Sequence, residues 1–252
     1  MILILAGTQD ARDLAINLKK RGFEIIVSVI SKYGEFLYDE SSIKVQTKVL
    51  DNKAMMQFIR DNQITSVIDA THPYAVNVSK TALTVCEEMN VFYIRYERST
   101  TDLPEYSKLS IVHDYDEAAN LAISLGKRIF LTIGSRNLKY FSNIVHKSAY
   151  TVIARVLPDE NVLSECFAMG FMPNNLILMQ GPFSHGLNLE LYKKYCADVI
   201  VTKDSGAIGG TDTKISAAIE MGVHIIMIER PKMNYQRIAK NLDDVLILLT
   251  NN

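Results

Sequence analysis

Cysteine is scarce. The chain has three, Cys86, Cys166 and Cys196, far apart in sequence. An odd count without a C-x-x-C pair supports neither a disulfide framework nor a zinc knuckle. The five histidines, His72, His113, His146, His185 and His224, show no H-x-x-x-H spacing, so no metal site is expected. An excess of one charge is also missing. Twenty-seven Lys and Arg against 28 Asp and Glu leave a net charge of −1, which argues against a general basic face for nucleic acid. No apolar run approaches the roughly 20 residues needed to span a bilayer. The opening MILILAG is far shorter and has no basic leader, so a cytoplasmic protein without a membrane partner is expected. What is present is 48% apolar and 22% charged residues over 252 positions, the composition of a folded chain with one large domain or two of moderate size.

Short β-branched runs alternate with amphipathic stretches. Ile2–Ala6 reads as a buried strand, and Ala11, Leu14, Ala15 and Leu18 recur at i, i+3, i+4, i+7 on one helix face. Gly22 sits just past that helix, where a left-handed residue is wanted. Further strands are expected at Glu24–Val29, Ile43–Val49, Ser66–Asp69 and Val91–Arg95, with helices around Met55–Ile59 and Val78–Met89. Periodicity fails between Arg98 and Lys108, a polar segment containing Pro104. Residues 99–108 are therefore expected to link an N-terminal domain, 1–98, to a C-terminal domain, 109–252. Beyond the linker, strands are expected at Arg128–Ile133, Tyr150–Ala154, Asn175–Met179, Val199–Thr202 and His224–Ile228. Helices fall between them, and a last helix, Leu242–Leu249, packs on either domain. The alternation predicts an α/β protein with two Rossmann-like doubly wound parallel-sheet domains facing a cleft. In such sheets ligands bind where the carboxyl ends of strands feed helix N-termini, and this selects the loops to read.

Five loops qualify. In the first, Gly7 lets the backbone approach a ligand, Thr8 caps a helix, and Arg12 lies on the first helical turn. About twenty residues on, Ser31 and Lys32 stand where a site preferring a bare ribose shows an acid, and so suit a 2′-phosphate. The second loop is Asp69-Ala70-Thr71-His72-Pro73-Tyr74-Ala75. Thr71 reads as an N-cap and Pro73 as part of the first helical turn, which leaves His72 and Tyr74 unexplained by structure alone. The third is Thr132-Ile133-Gly134-Ser135-Arg136-Asn137 and the fourth Gln180-Gly181-Pro182-Phe183-Ser184. The fifth runs from Thr202 and Lys203 through Ser205 and Gly206 to Lys214. It combines glycines, hydroxyls and two lysines ahead of a helix, the chemistry of an anion site, but it is not a P-loop.

Taken in order, GTQDAR, DATHPYA, TIGSRNL, GPFS and the TKDSG…TDTKISAA segment resemble the precorrin-6A reductase and cobalt-precorrin-6A reductase family of corrin biosynthesis over essentially the whole chain. Ala6, Asp10, Gly186 and the segment Glu97-Arg98-Ser99-Thr100 depart from the family's usual residues, and the span Ser205–Lys214 looks like the form found among cobalt-precorrin reductases. The resemblance implies reduction of one macrocycle double bond, with hydride to C19 and a proton to C18. NADPH or NADH is the implied cofactor and a tetrapyrrole the implied substrate. On this reading Gly7, Thr8, Arg12, Ser31, Lys32, Thr71, His72 and Pro73 are expected to bind the cofactor, and Arg136, Thr202, Lys203, Ser205, Gly206 and Lys214 the carboxylate-rich substrate. His72, Tyr74 and Lys203 are the candidate proton donors, and the protein is a monomer or a homodimer. A reductase of another small conjugated substrate and a dinucleotide-sensing module are the alternatives.

Overall fold

The computed structural model describes residues 1–30, 32–38, 42–97, 99–206 and 209–251. The chain divides into two units, one of Met1–Ser99 with Pro231–Asn252 and one of Thr100–Arg230.

The first unit opens with β1 (Ile2–Leu5), α1 (Gln9–Lys20), β2 (Ile25–Ser28), α2 (Lys32–Phe36) and β3 (Lys44–Gln46). It continues with α3 (Asn52–Asp61), β4 (Ser66–Asp69), α4 (Val76–Met89) and β5 (Phe92–Tyr96). The second unit holds β6 (Leu109–Val112), α5 (Tyr115–Leu125), β7 (Arg128–Leu131), a 3-10 helix (Ser135–Phe141), α6 (Ser142–Val145) and β8 (Thr151–Val156). It then adds α7 (Glu160–Ala168), β9 (Leu176–Leu178), α8 (His185–Lys194), β10 (Val199–Lys203), α9 (Thr211–Met221) and β11 (His224–Ile228). The chain returns to the first unit as β12 (Ile238–Ala239) and α10 (Leu242–Thr250).

Each unit carries a six-stranded sheet, ordered β12-β5-β4-β1-β2-β3 in the first and β6-β11-β10-β7-β8-β9 in the second. Every neighbouring pair is parallel. A parallel strand covered on both faces must be apolar on both, which explains why β1 is a continuous ILIL run, all of it buried. Its alternate residues serve different layers. Ile2 and Ile4 pack with Ala11, Leu14, Ala15 and Leu18 of α1, while Leu3 and Leu5 pack with Met55 and Ile59 of α3 and Ala82 and Val85 of α4. The α1 helix is capped as expected, with Thr8 Oγ1 accepting from Ala11 N, and Gly22 follows it at φ +86°. Among the described residues no helix is long and apolar enough to cross a membrane.

Two expected boundaries are corrected. The supposed linker belongs to the second unit from Thr100 onward. Leu103 and Tyr106 pack on that unit's core, Tyr106 OH donates to Val223 O at 3.0 Å, and Lys108 Nζ donates to Gly222 O at 2.6 Å. The segment is aperiodic because it is held by side chains to distant loops rather than by its own helix or strand. Residues 231–241, expected in the C-terminal domain, join the first unit instead, and the last helix, left open to either domain, packs there too. Ile238 pairs with Arg95, Arg95 N donates to Arg237 O at 2.9 Å, and Val245 of α10 is buried in the α1 layer. A two-residue strand has no periodicity to read, so only its hydrogen bonds reveal it.

Candidate active site

In the first sheet the chain order reverses at β1 and β4, which are adjacent while their crossovers lead to opposite edges. Such a switch point leaves a crevice at the strands' carboxyl ends. The loops there are those following β1 and β4. Gly7 has φ +143°, and a Cβ built on it meets nothing within 4 Å, so open space lies beside the backbone ahead of α1. Thr8 Oγ1 also donates to Ala70 O at 3.3 Å, stitching the two loops together.

A buried polar frame holds the second loop. Asp69 and Arg95 are each 0% exposed and are paired at 2.9 Å between Oδ1 and Nη1. Asp69 Oδ1 also accepts from Thr71 Oγ1 at 2.6 Å and Thr71 N at 3.1 Å, and Oδ2 accepts from Tyr93 OH at 2.8 Å. Arg95 donates to Asp69 O, Thr71 Oγ1, Thr71 O and Glu97 Oε2 at 3.1–3.3 Å. Burial, with the Asp69 carboxylate beside it, drives the Tyr93 phenol well above its ordinary range. Burial alone would lower the Arg95 guanidinium, but Asp69, Tyr235 and Glu97 together more than offset it and the net shift is upward. The pair is charged and fully bonded, the condition under which a buried ion pair is tolerated.

This frame corrects the role read for Thr71. It does not cap α4, which starts at Val76 with Ala75 before it and no side-chain cap. Its hydroxyl is already spent on Asp69 and Arg95. Pro73 likewise lies in the turn closed by Ala75 N donating to His72 O at 2.7 Å, not in the helix. His72 and Tyr74 stand together at the loop's outer part. Both are half-buried, with ring centroids 5.5 Å apart, and His72 Nδ1 accepts from Tyr74 N at 3.3 Å. That bond leaves the proton of a neutral imidazole on Nε2. Arg12 is half-buried on α1, and its Nε has no acceptor among the described residues. It lies near Tyr38, whose phenol burial raises to about 12 against the pull of Arg12. Ser31 lies outside the described residues, as does the side chain of Lys32, whose backbone begins α2.

In the second sheet the corresponding reversal falls between β7 and β10. Gly134, at φ +81°, turns the chain out of β7, and a Cβ there would lie 4.0 Å from Lys203 Nζ. Lys203 is half-buried at the end of β10, and burial, reinforced by Arg136, brings its ammonium down to about 8. Arg136 is exposed. Thr202 is 0% exposed, and its Oγ1 has no partner among the described residues. The loop beyond is fixed by Asp204, whose Oδ1 accepts from Gly206 N at 3.0 Å and Thr101 Oγ1 at 3.2 Å, while Oδ2 pairs with Arg230 Nε at 3.0 Å. Ser205 is buried and its N donates to Thr211 Oγ1 at 2.9 Å. Lys214 is also buried, with Nζ donating to Gly209 O at 2.9 Å, so this cation braces its own loop.

The first unit thus gathers Gly7, Thr8 and Thr71 at one switch point, and the second gathers Gly134, Arg136 and Lys203 at another. Sequence reasoning missed Arg95, Arg155, Asp204 and Arg230. The available signal was a charged residue inside an otherwise apolar strand, as in FYIRY and TVIARV.

Comparison with known proteins agrees with these features. The family model described as "Precorrin-6x reductase CbiJ/CobK" matches residues 1–250. The cobalt-precorrin-6A reductase of Priestia megaterium is 36% identical, covering 100% of this chain and 98% of that protein. That of Methanocaldococcus jannaschii is also 36% identical, over 99% and 98%. The precorrin-6A reductase of Rhodococcus erythropolis is 29% identical, over 97% and 94%. A solved structure of the precorrin-6A reductase CobK superposes with a TM-score of 0.82 at 25% identity, over 99% of this chain and 96% of that one. With the whole chain matched and both doubly wound sheets shared, the protein belongs to the precorrin-6x reductase family of oxidoreductases.

Proposed function

We propose that the protein is a cobalt-precorrin-6A reductase, which adds a hydride at C19 and a proton at C18 of the macrocycle to give cobalt-precorrin-6B. The carrying observation is full-length similarity at 36% identity to two cobalt-precorrin-6A reductases.

The first unit's switch point fits a dinucleotide. The open face at Gly7 and the N-terminus of α1 suit a pyrophosphate, and Thr8, Thr71, His72 and Pro73 border it. Arg12, with its unanswered Nε, suits a 2′-phosphate and so favours NADPH over NADH, with Ser31 and Lys32 as its proposed neighbours. When bound, the reduced nicotinamide supplies the hydride. The chain's own residues supply the rest. The exposed Arg136 offers a charge for substrate carboxylates, and the backbone about Ser205 and Gly206 and the hydroxyl of Thr202 complete the proposed substrate loop. Lys203 serves as proton donor, because an ammonium near 8 is charged at neutral pH yet releases its proton readily.

The test mixes purified protein with cobalt-precorrin-6A or precorrin-6A and each reduced nicotinamide. Loss of nicotinamide absorbance together with a change in the macrocycle spectrum is expected, fastest with the cobalt form and NADPH. Binding of dinucleotide without turnover of either macrocycle would overturn the proposal.

A further inference from the structure

Arg155 is the next-to-last residue of β8 and is 5% exposed. Its Nη1 donates to Asn188 Oδ1 at 2.8 Å, and its guanidinium carbon lies 3.7 Å from the centroid of the Phe183 ring. It has no carboxylate partner among the described residues, and neither Nε nor Nη2 has an acceptor there. Tyr192, fully buried close by, has a hydroxyl that is also without a partner among them. The site lies at the start of α8, whose first turn contains no acid and whose dipole disfavours a resident cation. Burial lowers the guanidinium to about 10.

The surroundings are built, not accidental. Asn188 Nδ2 donates to Ser184 O at 3.0 Å and Thr213 Oγ1 at 3.4 Å, which turns the amide oxygen towards Arg155. Thr213 Oγ1 donates to Phe183 O at 2.9 Å, holding the aromatic residue in place. The Phe183 ring folds back on Gly181, where a Cβ would come within 2.9 Å of it. The GPFS and TDTK motifs and the β8 arginine therefore converge on one guanidinium. Stacking occupies its face and leaves its edge, the part that forms paired hydrogen bonds to a planar anion. No described residue supplies a counter-ion to this buried charge, which costs stability and favours an anion from outside the chain.

We infer that Arg155, shelved on Phe183 and oriented by Asn188, is the docking group for one side-chain carboxylate of the substrate macrocycle. The inference rests on the proposed reductase activity and adds a specificity-determining residue to it.

The test compares wild type with Arg155→Met and Arg155→Lys. With Arg155→Met, KM and Kd for the cobalt macrocycle should rise on the order of 10- to 100-fold, as for loss of a charged hydrogen bond. KM for the reduced nicotinamide should stay within about twofold. Arg155→Lys should recover part of the affinity, since the charge survives but the fork does not. Without ligand, Arg155→Met should melt no lower than wild type, because it removes an uncompensated buried charge. Unchanged macrocycle binding in Arg155→Met would overturn the inference. So would a lowered melting temperature that Arg155→Lys restores, which marks a structural pillar. Wild-type protein that reduces neither macrocycle would instead defeat the proposed reaction, and the inference with it.

Discussion

The two units place an arginine in comparable positions and treat it in opposite ways. In the first, Arg95 of β5 is closed off. Asp69 and Glu97 balance its charge, three further hydrogen bonds to Asp69 and Thr71 fix the start of the loop after β4, and the Tyr235 ring lies under the guanidinium. In the second, Arg155 of β8 has an amide and an aromatic face but no acid among the described residues. Arg95 uses buried charge to hold a loop in shape, as the Asp204–Arg230 pair does in the second unit, while Arg155 keeps its charge available. Burial and Arg136 also both work against the charge of Lys203. The contrast separates a rigid platform from a surface that awaits an anion.

Breaking the closed pair should have the largest effect. Arg95→Met leaves Asp69 buried and uncompensated, and should cost about 3–5 kcal/mol. The double variant Asp69→Asn/Arg95→Met should cost less than the sum of the single changes. Urea unfolding followed by circular dichroism measures both, and an unshifted midpoint for Arg95→Met would dissolve the contrast with Arg155.

Next comes Lys203. Replacement by Met should lower kcat about 100-fold if the ammonium supplies the proton. In wild type, kcat/KM should fall as pH rises through about 8, where the donor is lost. Stability should move the other way. Folding disfavours the charged lysine, so unfolding becomes harder between about 8 and the ordinary value of 10.5, and Lys203→Met should flatten that rise. A pH–rate profile identical in the variant would remove Lys203 from the chemistry.

A smaller effect is expected at Arg12. Arg12→Ala should raise KM for NADPH about tenfold and leave that for NADH nearly unchanged, with Lys32→Ala acting in the same direction. Equal effects on both nucleotides would remove the phosphate assignment. The smallest concerns Thr8. Thr8→Ala removes a helix cap and the tie to Ala70, and should cost about 1 kcal/mol of stability. A change within error would show that water replaces the hydroxyl at no loss.

Short apolar runs such as ILIL, alternating along the chain with helical faces such as Ala11–Leu14–Ala15–Leu18, disclosed the α/β class, because strand runs and helix periods are local properties of the chain. The same patterns located the switch-point loops, since a ligand loop follows a strand's carboxyl end. Thr8 was legible as a cap for that reason, as its partner is three residues away. Tertiary structure alone decided the rest. It sent residues 231–252 back to the first unit, gave Thr71 to Asp69 and Arg95 rather than to α4, and turned Lys214 inward onto Gly209. It also paired Arg95 with Asp69 across 26 residues and Thr101 with Asp204 across 103, while leaving Arg155 without an acidic partner among the described residues. A buried charge finds its partner through space, and no local pattern records which charge will be answered.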